Sequence, residues 1–93
     1  MITLESKIIV PDEVMFRELA GEAVILHTGT GKYYGLDEVG TRMWDLLAEH
    51  RQIAPVFQAL LDEYDVESER LENDLLVLVE QLVSHGLLEI YEA

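Results

Sequence analysis

The sequence predicts an α+β domain of winged-helix-like order, in which an N-terminal sheet is followed by three helices. Up to Leu36, apolar and branched residues alternate or form short runs between turn residues, which is typical of strands. After Leu36, apolar residues recur at intervals of three and four, which is typical of helices. A chain of 93 residues has room for one small core. We therefore predict a single domain over residues 1–93.

Four segments of the N-terminal part have strand-like patterns. They are residues 2–10, 14–19, 22–28 and 32–36. The TGTGK stretch at residues 28–32 predicts a hairpin turn, because glycine permits the positive φ that tight turns require. This stretch is also similar to a glycine-rich phosphate loop. No GK[ST] tail follows it, however, and it joins two strands instead of opening a helix, which argues against phosphate binding.

Two helices are predicted directly after the strands. Asp37 stands where an N-cap is expected, and helical spacing then continues to about His50. Gly40 lies inside this helix at a cost of roughly 1 kcal/mol relative to alanine, so we expect a close backbone approach there. The second helix is predicted over about residues 53–64, where Pro55 is tolerated because it falls in the first turn.

The third helix is predicted from an N-cap at Ser68 to a C-cap at Gly86, and residues 87–91 then add a short strand or cover the core. One apolar stripe on this helix comprises Leu71, Leu75, Leu78 and Leu82, flanked by Leu76, Val79 and Val83. Val77 lies towards the other side with Asp74 and Gln81. The arc is wide, and two explanations stay open: two-sided packing, or a partly open groove.

The charge of the chain is strongly acidic and unevenly placed. Of the formal charge of −13, residues 37–93 carry −11. Such a surface repels phosphate and favours basic partners. Solubility and a solvated helical face are the first explanation, and binding of a basic peptide is compatible with it. In a DNA-binding winged helix the third helix would read the major groove. Here that helix has four acids against a single arginine, namely Glu69, Glu72, Asp74 and Glu80 against Arg70. We therefore predict no nucleic-acid partner.

No catalytic or metal-binding pattern is visible. His27, His50 and His85 lack ligand spacing, and the chain has no cysteine to act as nucleophile or thiolate ligand. We predict no catalytic activity, no metal and no cofactor. The start of the chain lacks the pattern of a signal peptide, and no apolar run is long enough to span a bilayer. The expected location is cytoplasmic, without a membrane partner.

Several segments, taken in order, resemble the family of small peptide chaperones typified by PqqD. They are AVILHT at residues 23–28, GKYYGL at 31–36, LDEVG at 36–40, Trp44, Tyr64, and DLLVLVEQLVSHGLL at 74–88. Within the family, the YYGLDEVG and MWDLL segments are more similar to the free-standing modules of lasso-peptide pathways than to the quinone-cofactor chaperone itself. Asp37 replaces the asparagine usual at the start of the first helix, and both residues cap well.

The resemblance implies a three-stranded antiparallel sheet with three helices. It also implies a function, which is to bind the leader peptide of a ribosomally made, enzyme-modified precursor and present it to a separate leader protease or modifying enzyme. The leader is expected as an extra strand between the third strand and the third helix. An acidic winged-helix regulator that acts through protein contacts is the alternative.

The expected peptide-binding residues lie on those two elements. On the strand they are Lys32, Tyr33, Tyr34, Gly35 and Leu36, and on the third helix they are Asp74, Leu75, Val77, Leu78 and Gln81. An edge strand offers unpaired backbone groups to an extended peptide. Alternation places Tyr34 and Leu36 on one face and Tyr33 on the other, although the two tyrosines are equally compatible with plain core and surface positions. Asp74 is the expected partner of a lysine or arginine of the peptide.

Overall fold

The computed structural model describes residues 2–91, so residues 1, 92 and 93 of the predicted domain lie outside the described part. The elements in chain order are β1 (Lys7–Ile9), β2 (Val14–Leu19), β3 (Glu22–His27), β4 (Tyr33–Leu36), α1 (Glu38–His50), α2 (Ile53–Glu63), α3 (Ser68–Ser84) and β5 (Glu89–Tyr91). Strands β2, β3 and β4 form an antiparallel sheet in that order, and three helices follow it. The predicted α+β class is confirmed.

The three-stranded sheet has one buried and one exposed face. Along β3, Ala23 and Ile25 are buried whereas Val24 and Leu26 are exposed, as period-two alternation requires. The core fills the space between the buried face and the helices. Trp44 of α1 is 3% exposed and stacks on Phe16 of β2, with ring centroids 6.2 Å apart.

The first predicted strand is shorter than expected and belongs to a different sheet. Only Lys7–Ile9 is extended, and it pairs antiparallel with β5, so that Ile8 lies opposite Ile90. Before it, the Thr3 N–H donates to Ser6 Oγ and the Ser6 N–H donates to the Thr3 carbonyl, both at 3.0 Å. These local bonds compete with a ladder and hold residues 3–6 in a turn. The predicted terminal strand is confirmed over Glu89–Tyr91.

The junction between β4 and α1 is built as predicted. Asp37 has extended backbone angles, and its Oδ1 accepts the Gly40 N–H at 2.8 Å. The close approach expected at Gly40 is confirmed, because an added Cβ would lie 3.2 Å from Cδ2 of Leu36. The end of β4 is therefore packed against the first turn of α1.

The two ends of α3 differ in how well they were predicted. Ser68 is not the N-cap: it is the first helical residue, and the Leu71 N–H donates to the carbonyl of Glu67, which occupies the cap without a side-chain bond. Gly86 has a φ of 75°, and its N–H donates to the Val83 carbonyl at 3.0 Å. With the Leu87 N–H donating to the Leu82 carbonyl at 2.8 Å, this is a Schellman motif, so the predicted C-terminal glycine is confirmed.

Candidate functional site

Strand β4 has a free edge whose backbone groups face outward at alternate residues. Within residues 2–91, β3 lies on one side of β4 and no strand lies on the other. The His27 N–H donates to the Lys32 carbonyl at 2.8 Å. Along an antiparallel strand, the N–H and C=O groups of successive residues point alternately to the two sides. Those of Tyr34 therefore point towards β3, and those of Tyr33 and Gly35 point away from it. Tyr33 and Gly35 therefore present N–H and C=O groups to the surroundings.

The side chains of β4 divide between two faces, as predicted. Leu36 is buried and Tyr34 is half-buried on the core face. Tyr33, with 69% of its surface exposed, lies on the outer face. Lys32 precedes the first residue of β4, and its N–H donates to Thr30 Oγ1 at 3.3 Å, so it belongs to the end of the turn. The edge proper is thus formed by residues 33–36.

Helix α3 is joined to β4 through Tyr34. The Tyr34 hydroxyl donates a hydrogen bond to Oε1 of Gln81. The ring of His85 meets the Tyr34 ring edge-on, with centroids 5.1 Å apart, and its Nδ1 lies 2.8 Å from the Gln81 carbonyl oxygen. The structure therefore brings together the predicted residues Tyr34 and Gln81. The role of His85 was missed in the sequence, although it follows Gln81 at a spacing of four on the same side of the helix.

The other predicted residues of α3 occupy three different environments. Asp74, Leu78, Gln81 and His85 follow one another at spacings of four, three and four, so they share a stripe. We call the surface between this stripe and the free edge of β4 the β4–α3 groove. Val77 is 42% exposed beside the stripe. Leu75 has no exposed surface and packs in the core, so it supports α3 from behind and presents nothing to a partner.

Asp74 places one carboxylate on the α3 side of the groove. The Asp74 side chain is 54% exposed, and its Oδ2 lies 4.0 Å from Nε of Arg70. Such exposed pairs contribute little, so the Asp74 carboxylate remains accessible to another cation.

An ion pair with shorter hydrogen bonds joins α1 to α2, where Arg42 Nε donates to Glu63 Oε2 at 3.0 Å. This hydrogen bond raises the pKa of Arg42 and lowers the pKa of Glu63.

Neither a cluster of metal-binding side chains nor a membrane-crossing helix is found among the described residues. Across residues 2–91, no group of three or more His, Cys, Asp or Glu side chains is placed to hold a metal ion. None of the helices in this part of the chain is long and apolar enough to cross a membrane. His27 has a local role instead, because its Nδ1 accepts the N–H groups of Gly29 and Thr30 at 3.1 and 3.2 Å.

Comparison with known proteins gives one family and two similar structures. The sequence pattern described as coenzyme PQQ synthesis protein D (PqqD) matches residues 22–88, the greater part of the chain. A structure of TbiB1 in complex with the TbiA(beta) leader peptide is similar at 37% identity and a TM-score of 0.82, over 90% of this chain and 98% of that chain. A structure of lasso peptide synthetase B1 complexed with the leader peptide is similar at 25% identity and a TM-score of 0.79, over 89% of this chain and 98% of that chain. Curated proteins give no match.

Proposed function

Because the chain belongs to the PqqD family, we propose that it binds the leader segment of a ribosomally made precursor peptide as a strand added to β4. It presents that leader to a separate leader protease or modifying enzyme and catalyses nothing itself. The observation that carries the proposal is the free edge of β4, where Tyr33 and Gly35 direct unpaired backbone groups outward. The two similar structures support it, since both are complexes with a leader peptide and each aligns over nearly its whole chain.

Strand addition separates affinity from selectivity. The N–H and C=O groups of Tyr33 and Gly35 pair with any extended peptide, whatever its side chains. Peptide residues directly opposite Tyr34 and Leu36 point towards α3, where the groove selects among them. Residues opposite Tyr33 and Gly35 point to the exposed outer face. Those residues stay accessible to an enzyme while the leader is bound, which is what presentation requires.

Gly35 offers a matched pair of variants that tests this geometry. Gly35 has no positive φ, and a Cβ added there would meet no atom within 4 Å. Gly35→Ala therefore keeps the outward N–H at no steric cost, whereas Gly35→Pro removes it at an edge position that tolerates proline. Since the N–H points away from β3, both variants are expected to fold, and circular dichroism checks this.

The binding measurement is isothermal titration calorimetry with a synthetic TbiA(beta) leader peptide, the ligand of the similar TbiB1 structure. We expect wild type and Gly35→Ala to bind with micromolar or better affinity, about −8 kcal/mol or stronger. Gly35→Pro leaves a peptide carbonyl without its donor, which costs about 1 to 3 kcal/mol, or roughly 5- to 150-fold in affinity. Full affinity in a folded Gly35→Pro variant would contradict strand addition. No binding by wild type would favour an acidic regulator that acts through other protein contacts.

A further inference from the structure

A cavity of about 280 Å³ lies where helix α1 passes the turn between β2 and β3. Its polar lining comes from two elements, with Glu18 near the end of β2 and Glu38, Thr41, Arg42 and Asp45 on α1. The four α1 residues follow one another at spacings of three, one and three, so they share one side of the helix. We call this space the Thr41 cavity.

The Thr41 cavity lies at the β2 side of the sheet, away from the free edge of β4. Gly21 of the β2–β3 turn borders it, and a Cβ added to Gly21 would lie 3.5 Å from Cγ of Glu38. In the sheet order β2–β3–β4, Glu18 is on the strand farthest from the free edge. Since neighbouring strands lie about 4.8 Å apart, a strand added to β4 would lie about 14 Å from β2. Such a strand leaves Glu18 and this side of the cavity uncovered.

The cavity carries more negative charge than its own cation neutralises. Within residues 2–91, Glu18, Glu38 and Asp45 form no ion pair. Arg42 also borders the cavity, but its guanidinium is bonded to Glu63 of α2, with Nε donating to Oε2 at 3.0 Å and Nη2 donating to Oε1 at 2.5 Å. Three carboxylates therefore border the space without a counter-ion, and together they attract a cation.

A buried hydroxyl in the same wall also lacks a partner. Thr41 is 3% exposed, and among residues 2–91 its Oγ1 forms no hydrogen bond. The Thr41 N–H donates to the Asp37 carbonyl at 2.8 Å, so the backbone is satisfied and only the hydroxyl is left over. Burying a polar group without a bond costs stability, and most such groups in folded proteins have a partner. A ligand that donates to Oγ1 would supply the missing bond.

The spread of these acceptors decides which cation fits. Across residues 2–91, no three His, Cys, Asp or Glu side chains are placed to hold one metal ion. An ammonium group is likewise a compact charge, whereas a guanidinium spreads five N–H donors over a planar fork. Such a fork reaches a hydroxyl and separated carboxylates at the same time. A volume of about 280 Å³ is below the range of about 300–1,000 Å³ typical of small-molecule sites, so it suits a single side chain.

We propose that the Thr41 cavity binds the guanidinium group of an arginine carried by another polypeptide. The guanidinium donates to Thr41 Oγ1 and to the carboxylates of Glu18, Glu38 and Asp45 around it. Because a strand on β4 leaves Glu18 uncovered, a protein that inserts its arginine here does not displace a peptide bound at the edge. The proposal goes beyond leader binding and does not depend on it.

Amide-resolved NMR spectroscopy of the full chain tests the site with small cations. n-Propylguanidinium should cause saturable shifts centred on the amides of Thr41 and Asp45. n-Propylammonium should bind at least about threefold more weakly, because it has fewer donors and no planar fork. Tetramethylammonium, which has the charge without any N–H, should give only small shifts that do not saturate. Equal responses to the three cations, or shifts spread over the whole acidic surface, would show general charge attraction and overturn the proposal.

Thr41→Val and Thr41→Ser form a matched pair, because valine keeps the shape and loses the hydroxyl whereas serine keeps the hydroxyl. Thr41→Val should bind n-propylguanidinium about 2- to 10-fold more weakly, and Thr41→Ser within about twofold of wild type. Without ligand, Thr41→Val should melt several degrees higher than wild type, since it removes a buried hydroxyl that has no partner. Wild-type affinity in Thr41→Val would overturn the assigned role of the hydroxyl.

A second pair of variants tests the charge, and keeps the proposal open to refutation if Thr41→Val does not fold. Asp45→Asn should weaken n-propylguanidinium binding up to about fivefold, as expected for one partly exposed ion pair. Glu80→Gln on α3 removes the same charge outside the cavity and should bind like wild type. If the two variants lose affinity equally, or neither loses any, the carboxylates of the cavity do not form the site.

A blocked tripeptide, with arginine between two glycines, separates an arginine side chain from a free cation. It should shift the same amides as n-propylguanidinium, with an affinity within about threefold. If n-propylguanidinium binds and the tripeptide does not, the occupant is a free cation, and the assignment to a polypeptide is wrong. If neither binds, the Thr41 cavity is not a guanidinium site. Strand addition at β4 is measured separately with the leader peptide, so its result is distinguishable from both outcomes.

Discussion

Replacing Asp37 by alanine should destabilise the domain by about 1 kcal/mol. The structure shows a complete N-cap, in which Asp37 has φ −77° and ψ −173° and accepts the Gly40 N–H at 2.8 Å. Loss of an N-cap acceptor typically costs about 0.5 to 2 kcal/mol. Asp37→Asn is the matched control, because its side-chain oxygen accepts the same bond. It gives up only the charge at the helix start, which is worth a few tenths of a kcal/mol at an exposed end.

Urea unfolding followed by tryptophan fluorescence measures both variants. Trp44 is the single tryptophan and is 3% exposed beside Phe16, so its emission reports loss of the core. A loss of about 1 kcal/mol corresponds to a melting temperature lower by about 4–8 °C in a domain of this size. The reasoning is refuted if Asp37→Ala unfolds at the wild-type midpoint, or if Asp37→Asn loses as much stability as Asp37→Ala.

Two further predictions concern charge. Asp74→Asn should weaken leader binding by less than about 1 kcal/mol at low salt and not at all at high salt, because the carboxylate is exposed and Arg70 already lies near it. Equal affinities at every salt concentration would remove Asp74 from the site. Glu63→Gln should lower the free energy of unfolding at pH 7. The hydrogen bond from Arg42 lowers the pKa of Glu63, so it stabilises the folded state at pH values above the ordinary pKa of a glutamate. That difference should shrink as the pH falls below 4.5, and a constant difference down to about pH 3 would contradict it.

Most features decided by neighbouring residues were predictable from the sequence, although the N-cap of α3 was predicted at Ser68 and lies at Glu67. The cap at Asp37, the close approach at Gly40 and the helix end at Gly86 each depend on bonds within a few positions. The pairing of β1 with β5 does not depend on nearby residues, because it joins the two ends of the described chain. A three-residue strand has too little pattern to select its partner, and only tertiary packing decides the sheet to which it belongs.

The candidate site divides in the same way. Alternation predicts the opposite faces of Tyr33 and Tyr34, and helical spacing places Asp74, Leu78 and Gln81 on one side of α3. Whether Leu75 or Leu78 meets the groove depends on the rotation of α3 against the core, which periodicity leaves undetermined. A cavity lined by Tyr64 lies where the loop between α2 and α3 meets the start of α1. No spacing in the sequence encodes that meeting.

A strand on β4 would give the leader two sets of residues with different partners. Under the proposed function, the residues facing α3 would decide whether this chain binds, because they would contact the side chains of the β4–α3 groove. Residues facing the outer surface lie beside Tyr33 and the open backbone of Gly35, where this chain has little side-chain surface with which to distinguish them. Under the proposed function, an enzyme that acts on the bound precursor could then contact the outward set without competing for the inward one. Substitutions in the two sets are then separable, since inward changes alter affinity and outward changes alter only the later step.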